Sequence, residues 1–175
     1  MKYYKYIFYI ICICAAFICS GCSTFDMHVK NRKSMTAPSL VLIDTFELRD
    51  MNYDPHAARE FSEAIRFELF RKGYLSRIIS PSKEDEKRDM PERARLLCGE
   101  YKGDIFVTGV ISRRESGFLT DRKISTGITF LIYNSSGVLL GEGYFSEADS
   151  PDMSAAGRKG ARKFTGELIS EVWGG

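Results

Sequence analysis

Four cysteines near the start of the chain are the first residues whose type and spacing could do chemistry. Cys19 and Cys22 have the C-x-x-C spacing, and Cys12 and Cys14 lie just before them. Such a pair can act as a redox centre or as half of a zinc site. Both functions require a second ligand pair or a strand and helix around the motif, whereas residues 7–19 (IFYIICICAAFIC) are uninterruptedly apolar. We therefore expect neither redox nor zinc chemistry here.

The residues before the pair predict an export signal. Lys2 and Lys5 give a positive start, the apolar run 7–19 follows, and the small residues Ser20 and Gly21 come next. This order is typical of a signal peptide. A helix that spans a bilayer needs about 20 apolar residues, so the run is short for a retained anchor.

The segment Ser20-Gly21-Cys22 resembles the lipobox of bacterial lipoproteins. The resemblance implies that Cys22 becomes the lipidated first residue of the mature chain. Members of that family usually have Leu three residues before this cysteine, where the present chain has Cys19. An uncleaved anchor and plain secretion are the alternatives to this interpretation.

Cleavage before Cys22 changes both the cysteine count and the charge. Cys98 is then the only free thiol left, so no intramolecular disulfide can form. Cys98 shares a helical face with Ala94 and Leu97, which favours burial of its thiol over pairing between chains. The whole chain has 25 basic and 23 acidic residues, and loss of Lys2 and Lys5 leaves 23 of each. A formally neutral chain gives no indication of nucleic-acid binding.

Composition divides the chain into three parts: a signal peptide at 1–21, a lipidated tether at 22–38, and a single globular domain at 39–175. The tether is predicted because residues 23–38 are polar, without evident periodicity, and end in Pro38. Its cations Lys30, Arg32 and Lys33 would contact anionic head groups or simply be solvated.

Periodicity and turn signals predict the elements of the domain. Strands are expected at 39–46, 74–80, 104–112, 123–133 and 138–146; helices are expected after Asp54-Pro55, from Pro91 to about Tyr101, and from Asp152 onward. This order predicts an α/β (α+β) fold with a single mixed sheet of about five strands, parallel at its start and antiparallel at its finish, and three helices packed on it.

The last predicted helix has two notable features. Gly157, Gly160 and Gly166 would be explained by a close approach of the helix to the sheet, or they would simply weaken the helix. The four cations of this helix fall together on its other face, as a contact for an anionic glycan, a lipid or an acidic partner, or as a solvated surface: Arg158, Lys159, Arg162 and Lys163.

Two other positions are candidates for function. Phe118 and Leu119 are apolar residues between charges in loop 113–122, which suits a partner contact or a loop tip folded back on the core. Asp44 lies in an apolar run, either as a buried carboxyl with a perturbed pKa or at a strand end where it bonds the backbone.

No set of residues in the mature chain forms a recognisable catalytic or metal motif. His28 lies in the predicted tether and His56 in the first turn of a predicted helix. We therefore expect no enzymatic activity, no cofactor and no metal. A hydrolase or a binding protein for small envelope ligands would require a deep pocket with titratable groups.

Segments 39–46 (SLVLIDTF), 57–74 and 103–111 (GDIFVTGVI) resemble a module of bacterial envelope proteins. It occurs in the curli-secretion lipoprotein, in lipoprotein activators of penicillin-binding proteins, in a flagellar lipoprotein and in the N-terminal domain of TolB. The resemblance implies a lipid-anchored, non-enzymatic module that binds an envelope protein partner. The alternative is a self-oligomerising subunit of a secretion or flagellar complex. Ser23 after Cys22 resembles the pattern of lipoproteins sorted to the outer membrane, facing the periplasm.

Overall fold

The computed structural model describes residues 23–30, 37–49, 55–80, 82–116, 123–148 and 152–173. Its strands are β1 (Ser23–Val29), β2 (Val41–Asp44), β3 (Glu47–Arg49), β4 (Ser76–Ile79), β5 (Ile105–Ser116), β6 (Lys123–Asn134) and β7 (Leu139–Ala148). Its helices are α1 (Pro55–Arg71), α2 (Met90–Tyr101) and α3 (Met153–Glu167), with a 3₁₀ turn at Asp85–Lys87 and a π-helical turn at Leu168–Trp173. None of the helices in these ranges is both long and apolar enough to cross a lipid bilayer.

All strands belong to one mixed sheet with the order β1-β7-β6-β5-β2-β4, and β3 pairs with β5 beyond the end of β2. β2 runs parallel to β4 and β5, and β3 runs parallel to β5. β5, β6, β7 and β1 are antiparallel neighbours. The predicted α/β class, the parallel start, the antiparallel finish and the three helices are confirmed. The described residues form seven strands, however, where about five were expected.

The prediction of a tether was wrong for residues 23–29. These residues form β1, which pairs with β7 along its whole length from Ser23 to Val29. Phe25 and Met27 face the core, whereas Thr24, Asp26 and His28, which alternate with them, are exposed. This alternation has the period of two that a half-buried antiparallel strand requires. The polar residues of the segment made this period of two easy to miss in the sequence.

The ends of the helices follow from local chemistry. Asp89 caps α2 by accepting a hydrogen bond from the Glu92 amide at 2.9 Å, and Asp152 caps α3 in the same way through the Ala155 amide at 3.0 Å. Gly73 follows α1 with a φ of +85°, a conformation that glycine adopts without strain.

The sheet has two unequal cores. α1 and α3 cover one face, where a large cluster includes Phe61, Phe130 and Phe164. α2 covers part of the other face through a smaller cluster that includes Leu42 and Cys98. The prediction of a buried Cys98 is confirmed, and burial raises the pKa of its thiol to about 11.

Two of the three glycines in α3 are explained by close packing. A Cβ on Gly160 would lie 3.1 Å from both Ile128 and Phe145 of the sheet, and one on Gly157 would lie 3.1 Å from Phe61 of α1. A Cβ on Gly166 would meet nothing within 4 Å. Close approach therefore explains Gly157 and Gly160 but not Gly166.

Candidate functional site

A groove of about 580 Å³ runs between α1 and α3 above the sheet. We call it the α1–α3 groove. It is lined by His56, Ala57, Arg59, Glu60, Phe61, Glu63, Ala64, Phe67, Glu68, Arg71, Ile111, Thr126, Ile128, Met153, Ser154, Gly157, Arg158 and Arg162. The two helices lie on the same face of the sheet because each presents an apolar stripe to it.

The floor of the groove is apolar except for one hydroxyl. Ile111 and Ile128 come from neighbouring strands, and Phe61 comes from α1. Thr126 lies two residues before Ile128 on the same side of β6, and its buried Oγ1 makes no hydrogen bond. A ligand that contacts this floor would bury apolar surface and could satisfy one hydroxyl.

The acidic residues on the groove walls already have partners. Glu60 Oε2 accepts a hydrogen bond from Ser154 at 2.7 Å, which joins the two helices. Glu63 pairs with Arg66 at 2.6 Å, and Glu68 pairs with Arg71 at 3.2 Å. These contacts reduce the acidic character of the groove.

The cations of the groove are only partly compensated. Arg162 lies 3.6 Å from Glu68, but its side chain is 72% exposed, so this pair is weak. Arg59 on α1 and Arg158 on α3 are exposed and have no ion pair within the described residues. The groove thus presents an unpaired positive charge on each of its two walls.

The four cations predicted to form one patch are divided between two surfaces. Arg158 and Arg162 line the groove. Lys159 instead pairs with Glu147 of β7 at 2.7 Å, and Lys163 lies over the Phe145 ring at 5.8 Å. The division follows from the helical period, because consecutive residues are about 100° apart and face different neighbours. The expectation of a single cationic face was therefore wrong.

The other predicted site residues, Cys22, Phe118 and Leu119, lie outside the described residues. The residue next to Cys22 is described: Lys163 Nζ contacts Ser23 at 3.4 Å from its carbonyl oxygen and 3.2 Å from its Oγ. His28 is exposed on β1, and His56 lies in the first turn of α1 at the groove.

A second cluster of ionisable groups lies beneath α2. Arg93 donates a hydrogen bond from Nη2 to Asp44 Oδ2 at 2.6 Å, and Thr108 Oγ1 lies 3.2 Å from the same oxygen. Asp44 is 1% exposed and Arg93 is 7% exposed. Ser62 of α1 donates to the Asp44 carbonyl oxygen at 2.8 Å. This network joins α1, β2, β5 and α2.

Burial raises the pKa of Asp44 from 3.8 to about 6, and the charge of Arg93 opposes this rise. Asp44 Oδ1 and Arg93 Nε are buried without hydrogen-bond partners. Both expectations for Asp44 are thus partly met, since it is a buried acid at a strand end, but its main partner is a side chain. Because the carboxyl is closed off from solvent, we interpret the cluster as an anchor for α2.

Sequence reasoning missed the role of Arg93. This residue belongs to the charged run 82–93, which is typical of a solvated segment. The available signal was its position, since Arg93 adjoins Ala94 and precedes Leu97 by four residues on the apolar stripe of α2.

Together, the fold and the groove define a small mixed α/β domain with a cleft between two helices. Similar structures include the PelC dodecamer from Paraburkholderia phytofirmans, with 13% identity, a TM-score of 0.59, and coverage of 81% of this chain and 94% of that chain. The hypothetical protein CT253 from Chlamydia trachomatis has 14% identity, a TM-score of 0.58, and coverage of 79% and 100%. Lipoprotein GNA1162 from Neisseria meningitidis has 11% identity, a TM-score of 0.53, and coverage of 76% and 99%.

At these identities the similarity shows a common fold. This fold is shared with a bacterial lipoprotein, which agrees with the resemblance drawn from segments 39–46, 57–74 and 103–111. The sequence matches no protein-family model and no curated protein sequence.

Proposed function

We propose that the protein is a lipid-anchored cell-envelope lipoprotein that acts as a non-enzymatic protein-binding module. The α1–α3 groove binds an acidic, partly apolar segment of an envelope protein. The observation that supports this function most directly is the combination of an apolar floor with Arg59 and Arg158 unpaired on opposite walls.

The dimensions and chemistry of the groove favour binding of this kind. Its volume of about 580 Å³ lies within the range of about 300–1,000 Å³ that is typical of ligand sites. An amphipathic segment that lays apolar side chains into a groove between helices is a common mode of peptide recognition. A carboxylate on such a segment would pair with Arg59 or Arg158, whereas Glu60, Glu63 and Glu68 are engaged within the protein.

The lipid anchor is proposed on Cys22, with residues 1–21 removed as a signal peptide. The Ser20-Gly21-Cys22 motif supports this anchor, and Ser23 supports sorting to the outer membrane, facing the periplasm. Intact mass and membrane fractionation of the natively expressed chain test the anchor. We expect a mature chain that begins at acylated Cys22, and loss of that form in Cys22→Ala. Two results would contradict the proposal. One is a wild-type chain that keeps residues 1–21, and the other is a Cys22→Ala chain that has lost residues 1–21 and still fractionates with the membrane.

A photo-reactive phenylalanine analogue tests the groove. Phe67 lines the groove and is 58% exposed, whereas Leu96 on α2 is 40% exposed on the opposite face. We expect the analogue at Phe67, but not at Leu96, to crosslink one envelope protein in cells.

The crosslinked protein is then purified and its affinity measured. The double variant Arg59→Gln/Arg158→Gln should bind at least about tenfold more weakly, equivalent to about 1.4 kcal/mol. Arg95→Gln, an exposed cation on α2, should bind as the wild type does. Equal affinity of all three proteins would exclude charge recognition in the groove.

Self-assembly is a second candidate function, and one observation favours it. Phe70 and Leu75 are 71% and 68% exposed beside β4, which is an edge strand. Exposed apolar surface next to a free strand edge suits a contact between copies, and a protein with this fold is described as a dodecamer. Sedimentation of the detergent-extracted protein should show an oligomer that Phe70→Ser/Leu75→Ser dissociates. A monomeric wild type at micromolar concentration would rule out this function.

A further inference from the structure

The position of Ser23 determines where an anchor on Cys22 must lie. Ser23 is paired with Glu147, Glu147 with Thr126, and Thr126 with Arg113. These four residues form one row across the antiparallel half of the sheet. Because consecutive Cα atoms are about 3.8 Å apart, Cys22 cannot lie more than one residue away from this row.

The connection between the anchor and the sheet contains no linker. β1 begins at Ser23 and stays paired with β7 over all seven of its residues. Lys163 of α3 holds the first of these residues through contacts of 3.2 and 3.4 Å. An anchor attached in this way restricts the orientation of the domain as well as its distance from the membrane.

We propose that the domain rests end-on against the bilayer through a surface that we call the anchor end. It comprises Ser23, the arm 113–116 of β5, Ser125 of β6 and the first turn of α3. The partner of this surface is the lipid bilayer, and the proposal depends on the proposed lipidation of Cys22. The α1–α3 groove then rises away from the membrane, because α1 and α3 both begin near this end.

The charges of the anchor end suit phospholipid head groups. Arg114 is exposed and has no ion pair within the described residues. Lys163 lies beside Ser23. The three acidic residues described nearby are engaged: Glu115 lies 3.8 Å from Arg113, Glu147 pairs with Lys159, and Asp152 caps α3. The unpaired Arg114 would therefore meet lipid phosphates at this end.

Lys30, one of the cations of the predicted tether, lies far from the anchor end. Lys30 follows β1 and donates its backbone N–H to the Leu140 carbonyl oxygen at 2.9 Å. A strand rises about 3.3 Å per residue, so Lys30 is about 23 Å from Ser23 along β1. The head-group contact expected for Lys30 is therefore replaced by the contacts of the anchor end.

Two exposed serines at opposite ends of the sheet provide a matched test. Ser116 ends β5 at the anchor end, and Ser136 lies in the turn between β6 and β7. β6 separates them by about 36 Å at about 3.3 Å per residue. The mature full chain carries Ser116→Cys or Ser136→Cys, labelled with an environment-sensitive fluorophore. Cys98 is 2% exposed and should not react.

Each labelled protein is reconstituted into phosphatidylcholine and phosphatidylglycerol vesicles, with or without nitroxide on the lipid head groups. We expect quenching at Ser116→Cys to exceed that at Ser136→Cys at least about threefold. Collisional quenching acts only at short range, and the two labelled positions are about 36 Å apart along β6. Equal quenching, or stronger quenching at Ser136→Cys, would overturn the end-on orientation.

Vesicle flotation and intact mass separate failure of this inference from failure of the anchor. A chain that carries lipid and floats, but shows the wrong order of quenching, overturns the orientation alone. A chain that carries no lipid and does not float overturns both proposals. Ser125→Cys, on β6 at the anchor end, is a second labelled position and should also be quenched more strongly than Ser136→Cys.

Discussion

The two faces of the sheet are held to their helices by different forces. On the α1 and α3 face, aromatic rings interlock: Phe130 stacks on Phe164 at 4.2 Å and meets Phe46 and Phe61 at 5.9 and 5.7 Å. On the α2 face, the apolar cluster is smaller and a buried ion pair between Asp44 and Arg93 completes it. The first face depends on volume and shape, and the second depends on charge and protonation.

The two faces should therefore tolerate different kinds of substitution. When a side chain in an apolar cluster is shortened, the free energy of unfolding falls in proportion to the atoms removed and the cavity left behind. A buried ion pair contributes little net stability when intact, but leaves an uncompensated charge when one partner is removed. The α1 and α3 face should therefore respond to size, and the α2 face to pairing.

The largest expected effect is on the aromatic face. Phe130→Ala should lower the free energy of unfolding by about 5 kcal/mol, because it removes the ring at the centre of the cluster. Phe106→Ala on the α2 face should cost about 3 kcal/mol, since among the described residues Phe106 meets a single ring, Tyr133, at 6.4 Å. Denaturant unfolding measures both values. The reverse order would show that ring contacts do not distinguish the two faces.

The next effect tests the ion pair. Arg93→Met should cost about 3 kcal/mol at pH 7, because Asp44 is left buried without its counter-charge. Adding Asp44→Leu should restore most of that loss, since both charges are then absent. Arg95→Met on the exposed side of α2 should change stability by less than about 0.5 kcal/mol. If the double variant is as unstable as Arg93→Met, side-chain packing rather than pairing dominates this face.

Acidification should stabilise the fold through Asp44, on the α2 face, by up to about 3 kcal/mol. Asp44 has a raised pKa of about 6 when folded, against 3.8 when unfolded, and each pKa unit is worth about 1.4 kcal/mol. The folded state binds the proton more tightly, so this stabilisation is full below pH 3.8 and is lost as pH rises through 6. Unfolding measured at pH 7 and pH 4.5 should therefore show wild type gaining stability relative to Asp44→Asn. A constant difference would mean that Asp44 does not titrate in this range.

The smallest effect concerns the packing of α3. Gly160→Ala should destabilise by about 1–2 kcal/mol because its methyl group would meet Ile128 and Phe145 at 3.1 Å. Gly166→Ala has open space and should stabilise by about 0.5–1 kcal/mol through helix propensity. Thermal unfolding of both variants provides the comparison. A stabilising Gly160→Ala would show that the sheet yields to the helix at this point.

Much of the fold could be predicted because its signals are local. The stripe of Phe61, Ile65 and Leu69 predicts α1, and the turn before Gly137 predicts the hairpin of β6 and β7. β1 was missed because Asp26 and His28 made its segment appear polar, although they alternate with core-facing residues. The alternation of Phe25, Met27 and Val29 with polar residues is the signal that could have predicted this strand.

The functional features were less accessible because they join distant parts of the chain. Asp44 and Arg93 are 49 residues apart, and the Glu60–Ser154 contact across the groove joins residues 94 apart. Helical periodicity places Arg158 and Lys159 on neighbouring stripes but does not reveal that one faces α1 and the other faces β7. Such neighbours become known only when the elements are assembled.

The pairing of β1 has a consequence for the order in which the protein folds. β1 is the first element of the domain to be synthesised, yet its partner β7 and Lys163, which follows Ser23 by 140 residues, are among the last. Contacts between such distant residues carry a large loop-closure cost when the intervening chain is still unfolded. We therefore expect β1 to pair with β7 late in folding, after the rest of the antiparallel sheet has brought their ends together.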